Sequence, residues 1–219
     1  MSVESASLLR LERTSLREQA LSALRRAITT GELAPGTHLV ETELSDALHI
    51  SRGTLREAMR QLQQEGLISA GARGRLSVRH LDDKEIKDIF DVRAALESLA
   101  AQTLARRPDR DEVVAVLRKA LIEMERRVDA HLDDRIEADL KFHRTMCQLT
   151  GNETLLHSWS SLEGSIRMSI MFAGVDRGLK NMDTKRHSAI VDAIESGDAD
   201  RAVATVNDHM STAADVLVT

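Results

Sequence analysis

The sequence predicts a mainly α-helical chain in two parts, an N-terminal winged helix-turn-helix and a C-terminal all-α bundle of six helices. Three observations carry that expectation. Of 219 residues only four are aromatic (three Phe, one Trp, no Tyr) and two are proline. Strands draw on aromatic and β-branched residues, whereas Ala, Leu, Arg and Glu, abundant here, favour helices. Apolar residues recur at intervals of three and four along most of the chain. Finally, charge divides near residue 80. Residues 1–80 carry 11 arginines, no lysine and 9 acidic residues, a net charge of +2; residues 81–219 carry 19 basic and 26 acidic residues, a net charge of −7. The composition also excludes functions. A single cysteine forms no intramolecular disulfide and fits a reducing compartment. Four aromatics are too few for stacking the bases of a single strand. No stretch reaches about 18 consecutive apolar residues and no apolar leader opens the chain, so a soluble cytoplasmic protein with no membrane partner is expected.

The elements of residues 1–80 follow from local signals. Leu16, Ala20, Leu24, Ala27 and Ile28 lie at helical spacing and predict a helix over 16–30. Gly31 stops it, and Pro35-Gly36 makes a turn. A short helix over 41–48 would bury Leu44, Ala47 and Leu48. His49-Ile50-Ser51 is a tight connection. Ser51 is a good N-cap for a third helix over 52–65, because its hydroxyl can accept a hydrogen bond from a first-turn N–H. Gly66 ends that helix. Two extended pieces, 67–70 and 75–80, flank the turn Gly71-Ala72-Arg73-Gly74. Helix, tight turn, helix and hairpin is the order of a winged helix-turn-helix.

On the third helix Leu55, Met59 and Leu62 form the buried stripe, and Arg52, Arg56 and Arg60 form a second one. A recognition helix sets its first residues against base edges, where arginine can bond guanine O6 and N7 together. The plain alternative is a solvated face with local ion pairs. The position of the stripe, after a capped turn and before a hairpin, favours DNA. Gly53 leaves room for close approach, and Arg73 at the hairpin tip is a candidate minor-groove or phosphate contact. The run Gly31 to Pro35-Gly36, Leu44 to Leu48, Ser51-Arg52, Leu55-Arg56-Glu57-Ala58 and Leu62 with Glu65-Gly66-Leu67 resembles the DNA-binding domain of the GntR superfamily of bacterial transcription regulators. The resemblance implies double-stranded operator DNA as partner, with Ser51, Arg52, Gly53, Thr54, Arg56, Arg60 and Arg73 as the contact set.

Residues 81–219 read as six helices over 82–106, 110–131, 133–150, 152–173, 178–196 and 198–216, separated by Pro, Gly, Asn and Asp breaks. Four polar residues fall on faces that should be buried. Asp139 and His143 are four apart and stack on one side of a helix with Ile136, Leu140, Met146 and Cys147. His187 shares a stripe with Ile190, Val191 and Ile194, and His209 shares one with Val206, Met210 and Ala213. A single inward histidine is usually a satisfied core residue. Three imidazoles and a carboxylate together form a set suited to Zn²⁺, Ni²⁺ or another first-row divalent ion. His38, His49, His80, His131 and His157 show no such pattern.

The segments Asp91 to Glu97, Asp139-Leu140-Lys141-Phe142-His143, Gly151-Asn152, His187-Ser188-Ala189-Ile190, Gly197-Asp198 and His209 resemble the FCD ligand-binding domain of the FadR-like branch of the GntR superfamily. Six helices suggest its shorter, VanR-like form. The resemblance implies that Asp139, His143, His187 and His209 bind a divalent metal beneath a cavity for a small organic acid. Arg93 and Arg167 are then candidates to grip its carboxylate; the plain alternatives are ion pairs, Arg93 with Asp91 or Glu97 and Arg167 with Glu163. The expected protein is a ligand-responsive regulator, more readily a repressor, acting as a homodimer and not an enzyme. A metal-dependent hydrolase carrying a helix-turn-helix is the rival, although no additional base, nucleophile motif or phosphate loop accompanies the metal set.

Overall fold

The computed structural model describes residues 15–71, 74–173 and 175–218. Backbone contacts divide it into two units. The first unit contains α1 (Leu16–Thr29), α2 (Glu41–Ala47), α3 (Arg52–Gln64) and a hairpin of β1 (Ile68–Ala70) and β2 (Leu76–Val78). The strands are antiparallel, with Ile68 opposite Val78 and Ala70 opposite Leu76. α1 opens with a capping box, in which the Ser15 side chain accepts from the Glu18 N–H and Glu18 reaches back to Ser15. Ala20, Leu24 and Ile28 of α1 pack toward α3, which buries Leu55, Ala58, Met59 and Leu62. The short α2 differs from expectation. Leu44 and Leu48 are half-buried, Ala47 is exposed, and Ser45 is the residue its inner face buries. The Ser45 hydroxyl is satisfied within the helix by the Thr42 carbonyl, which lets a polar residue occupy that face.

The second unit contains the connector Glu65–Leu67 and all residues from Arg79 onward. Its helices are α4 (Asp83–Ala105), α5 (Arg110–Glu125), α6 (Leu132–Leu149), α7 (Glu153–Phe172), α8 (Val175–Asn181), α9 (Thr184–Glu195) and α10 (Ala199–Val218). Among the described residues the bundle therefore has six long helices and one short helix, not six alone. The helix expected over 178–196 is broken at Met182-Asp183, because the Asp183 side chain accepts from the Lys185 N–H and starts a new helix there. The helix expected to reach 131 stops at Glu125, and Arg135 donates to the Val128 carbonyl in the turn that follows.

α4 is the central element. It packs along α10 and also meets α6, α7 and α9. Its buried face reads Ile86, Phe90, Arg93, Glu97, Ala100, Ala101 and Leu104. An arginine and a glutamate thus sit mid-face among apolar residues, and the neighbouring helices must satisfy them. α7 makes a different close contact. A Cβ on Gly164 would lie 0.9 Å from the Glu65 carbonyl oxygen, so backbone occupies the space a side chain would need. The next residue, Ser165, accepts a 2.6 Å hydrogen bond from Arg79 Nη1. Among the described residues no helix is long and apolar enough to cross a membrane.

Gly164→Ala is predicted to destabilise the second unit by at least about 1–3 kcal/mol, because the obstruction is backbone and cannot rotate away. A lowered urea midpoint at unchanged m-value would show it; an unchanged midpoint would mean that the connector moves freely.

Candidate functional site

The candidate DNA surface is built on α3. The Ser51 hydroxyl accepts from the Thr54 N–H at 3.1 Å and lies 2.9 Å from the Thr54 hydroxyl, so Ser51 caps the helix as expected. His49 has a positive φ of 52° in the connection from α2, a conformation that turns the chain sharply. Arg52, Arg56 and Arg60 are all exposed on α3. Arg56 Nε donates to Glu41 on α2 at 2.8 Å, and Arg60 pairs with Glu57. These are solvent-exposed pairs of small worth, and a phosphate or a guanine can compete for them. The space beside Gly53 is open, with only the Ser51 hydroxyl near a hypothetical Cβ. Arg73 lies outside the described residues.

In the second unit Asp139, His143, His187 and His209 come from three helices and meet in the core, each at most 4% exposed. His143 Nε2 lies 3.1 Å from His187 Nε2, and His187 Nε2 lies 2.9 Å from Asp139 Oδ1. The ring of His209 stands 4.6 Å from that of His187, centroid to centroid. One donor atom from each histidine falls within 4.8 Å of the others. The far side of two rings is fixed. His143 Nδ1 lies 2.5 Å from Glu97 Oε2, and His187 Nδ1 lies 2.8 Å from the Asp183 carbonyl, at the helix break.

This arrangement tests whether a cation fits. A carbonyl oxygen accepts only, so His187 holds its proton on Nδ1 and turns the Nε2 lone pair inward. That lone pair faces the Asp139 carboxylate and His143 Nε2. In neutral rings, lone pairs so close repel unless they share a proton or a metal ion. Asp139 Oδ2 and His209 Nδ1 are also buried without a hydrogen-bond partner. A single proton on His187 Nε2 would satisfy Asp139 Oδ1 but leave Asp139 Oδ2 and His209 Nδ1 unserved, whereas a divalent ion among the three histidines takes up their lone pairs and lies beside the carboxylate. The residues present fit a metal.

Two cationic side chains frame the cluster. Arg93, 1% exposed, donates from Nε to Glu97 at 2.7 Å, while its Nη2 lies 4.0 Å from Asp139 Oδ2 and makes no hydrogen bond. Arg186 donates to the His209 carbonyl at 2.5 Å. Arg167 is elsewhere engaged: it pairs with Glu137, while Glu163, its expected partner, pairs with Arg144. Electrostatics follow from burial. Burial alone would raise the Asp139 carboxyl, but the His187 contact and nearby positive groups bring it down to about 2. Glu97 is likewise opposed by burial and brought down to about 2 by His143 and Arg93. Burial lowers His143 against the pull of Glu97, and holds His209 well below its ordinary range beside the other imidazoles and Arg186. Burial pushes the Cys147 thiol up, which keeps it an inert packing group.

Comparison with known proteins then fixes the family. Residues 16–83 match the gntR family of bacterial regulatory proteins, and residues 88–212, more than half of the chain, match the FCD domain. The chain belongs to the FCD-containing GntR regulators. Similar relatives include the HTH-type transcriptional regulator YdhC of Bacillus subtilis, 32% identical over 139 residues, covering 63% of this chain and 62% of that protein. The gluconate operon transcriptional repressor of Bacillus licheniformis is 29% identical over 164 residues, covering 74% of this chain and 67% of that one. Among solved structures, a GntR transcriptional regulator from Rhodococcus sp. RHA1 superposes with a TM-score of 0.73 at 20% identity, covering 92% of this chain and 97% of that one. These families and relatives are transcriptional regulators, not enzymes, and the hydrolase alternative ends there.

For an FCD-containing GntR regulator, the residues that sequence reasoning did not assign to the site are Glu97, Trp159 and Arg186. Glu97 accepts from Arg93, from the Trp159 indole at 2.8 Å and meets His143, all while fully buried. The signal was available in part: an Arg and a Glu four apart on an otherwise apolar helical face.

Buried neutral histidines make stability pH-dependent. In the unfolded chain an imidazole takes up a proton as pH falls through about 6.5. Folded His143 and His209 resist that proton because their values are lowered. The unfolded state therefore binds more protons there, and stability falls as pH drops below about 6.5. Urea unfolding of chelator-treated protein is predicted to lose about 1 kcal/mol per imidazole per pH unit below that value. A flat profile between pH 7 and pH 5.5 would contradict burial of the neutral rings.

Proposed function

We propose that this GntR regulator is a metabolite-responsive repressor. Residues 1–80 would read double-stranded operator DNA, and residues 81–219 would form the sensor and homodimerisation domain. Asp139, His143, His187 and His209 hold a divalent first-row metal ion such as Zn²⁺ or Ni²⁺, and a small carboxylate metabolite binds beside it. The observation that carries this reading is the crowding of buried lone pairs from Asp139, His143 and His187, with Asp139 Oδ2 and Arg93 Nη2 left unsatisfied. When bound, such an ion supplies coordination positions for a carboxylate or water.

Arg93 is the stronger anion contact, because a buried guanidinium nitrogen without a partner is costly. Arg167 would have to leave Glu137 to contribute. On DNA, Ser51, Arg52, Gly53, Thr54, Arg56 and Arg60 form the contact set. A homodimer matches a two-fold operator with two copies of α3. The effector acts only if it binds the DNA-competent and incompetent states with different affinity. The repressor sign is supported by the gluconate operon repressor among the relatives.

Arg52→Ala is predicted to weaken specific operator binding by about 1–3 kcal/mol with the fold intact; unchanged affinity in a mobility-shift titration removes Arg52 from the contact set. Protein purified without chelator is predicted to carry about one metal ion per chain, and His187→Ala to lose it. Small organic acids should raise the melting temperature of the metal-loaded protein and lose that effect with chelator. Metal-free wild-type protein by elemental analysis, with no zinc uptake on titration, would overturn the metal reading.

A further inference from the structure

The proposed function gives Glu97 no role, yet its buried carboxylate has three side-chain partners. It is 0% exposed. Oε1 accepts from Arg93 Nε at 2.7 Å and from the Trp159 indole N–H at 2.8 Å, and Oε2 meets His143 Nδ1 at 2.5 Å. These partners come from α4, α7 and α6. An ionised carboxylate has lone pairs and no proton to give. Its contact with His143 therefore requires the proton to sit on Nδ1, and leaves the Nε2 lone pair pointing at His187 and Asp139. The same carboxylate holds Arg93 by Nε, which leaves Nη2 on the side of Asp139.

We propose that Glu97 is the positioning residue of the sensor site: through Oε2 it fixes the Nδ1–H tautomer of His143, and through Oε1 it turns Arg93 Nη2 toward Asp139. The inference rests on the metal reading for its effect on affinity, but the tautomer can be measured without metal. Two properties of the geometry separate this role from ordinary packing. Each partner is a specific N–H donor, so an isosteric group that donates on one side disrupts the set. And Oε1 is shared by two donors on one side, so the carboxylate cannot rotate to serve His143 differently without losing Arg93 or Trp159.

Glu97→Gln makes the test. The amide has one acceptor oxygen and one NH₂. If the oxygen keeps Arg93 and Trp159, the NH₂ faces His143 Nδ1, which must then accept; the ring proton moves to Nε2 and blocks that nitrogen as a ligand. Calorimetric titration of full-length protein with Zn²⁺ is expected to show affinity reduced about 10–100-fold in Glu97→Gln. In parallel, long-range ¹H–¹⁵N spectra of metal-free wild-type protein should show His143 as the Nδ1–H tautomer. That readout remains decisive if the variant fails to fold. An Nε2–H tautomer in wild type, or equal Zn²⁺ affinity in the two proteins, overturns the assignment of Glu97. Absence of Zn²⁺ binding by wild type, with the Nδ1–H tautomer present, overturns the metal reading instead and leaves the orienting role standing.

Discussion

A carboxylate in the middle of a helical core needs donors on every side, and the sensor domain is arranged around meeting that need at Glu97. Burying an ionised group without partners is prohibitive. Here Arg93 offsets the charge, while the Trp159 indole and the His143 ring complete the hydrogen bonding. Because those partners come from α4, α6 and α7, the three helices are locked in register about one group. The inward turn of His143 Nε2 toward His187 and Asp139 is one outcome of that locking. The free Nη2 of Arg93 is another.

In the proposed function, specificity at this centre would come from polarity rather than shape. Among the described residues, Phe142 makes edge contacts 5.2 Å from both His143 and His187, and Phe90 lies 5.3 Å from the Arg93 guanidinium. The groups that converge there, Asp139, the three histidines, Arg93 and Glu97, are charged or hydrogen-bonding. Such a site rejects an apolar molecule, because binding it would leave Asp139 Oδ2 and Arg93 Nη2 unsatisfied. In the proposed function a small acid would serve both at once, through the ion and through the guanidinium.

Much of this was legible in the sequence. The Asp139–His143 spacing places both residues on one helical side, and the apolar neighbours of His187 and His209 mark their faces as inward. Those readings need only helical periodicity. The helix-turn-helix was legible for the same reason, with Ser51 as cap and Gly66 as stop. What was hidden depends on long-range contact. Glu97 looked like the plain ion-pair partner of Arg93, and it is that. Its meetings with His143, 46 residues away, and Trp159, 62 residues away, need the fold. The break at Asp183 was missed because Leu179 and Met182 before it and Ile190, Val191 and Ile194 after it keep helical spacing, and no Gly or Pro stands between them. Arg167 was assigned by helix membership alone, and ion pairing decided its partner.

The tryptophan on Glu97 has a further consequence. The chain contains one Trp and no Tyr, so near-ultraviolet emission comes from a single indole. That indole is fully buried, and its N–H is bonded to the carboxylate that orients a candidate ligand. The intrinsic fluorescence of this protein is thus a local readout of the sensor core, free of background from the DNA-binding unit.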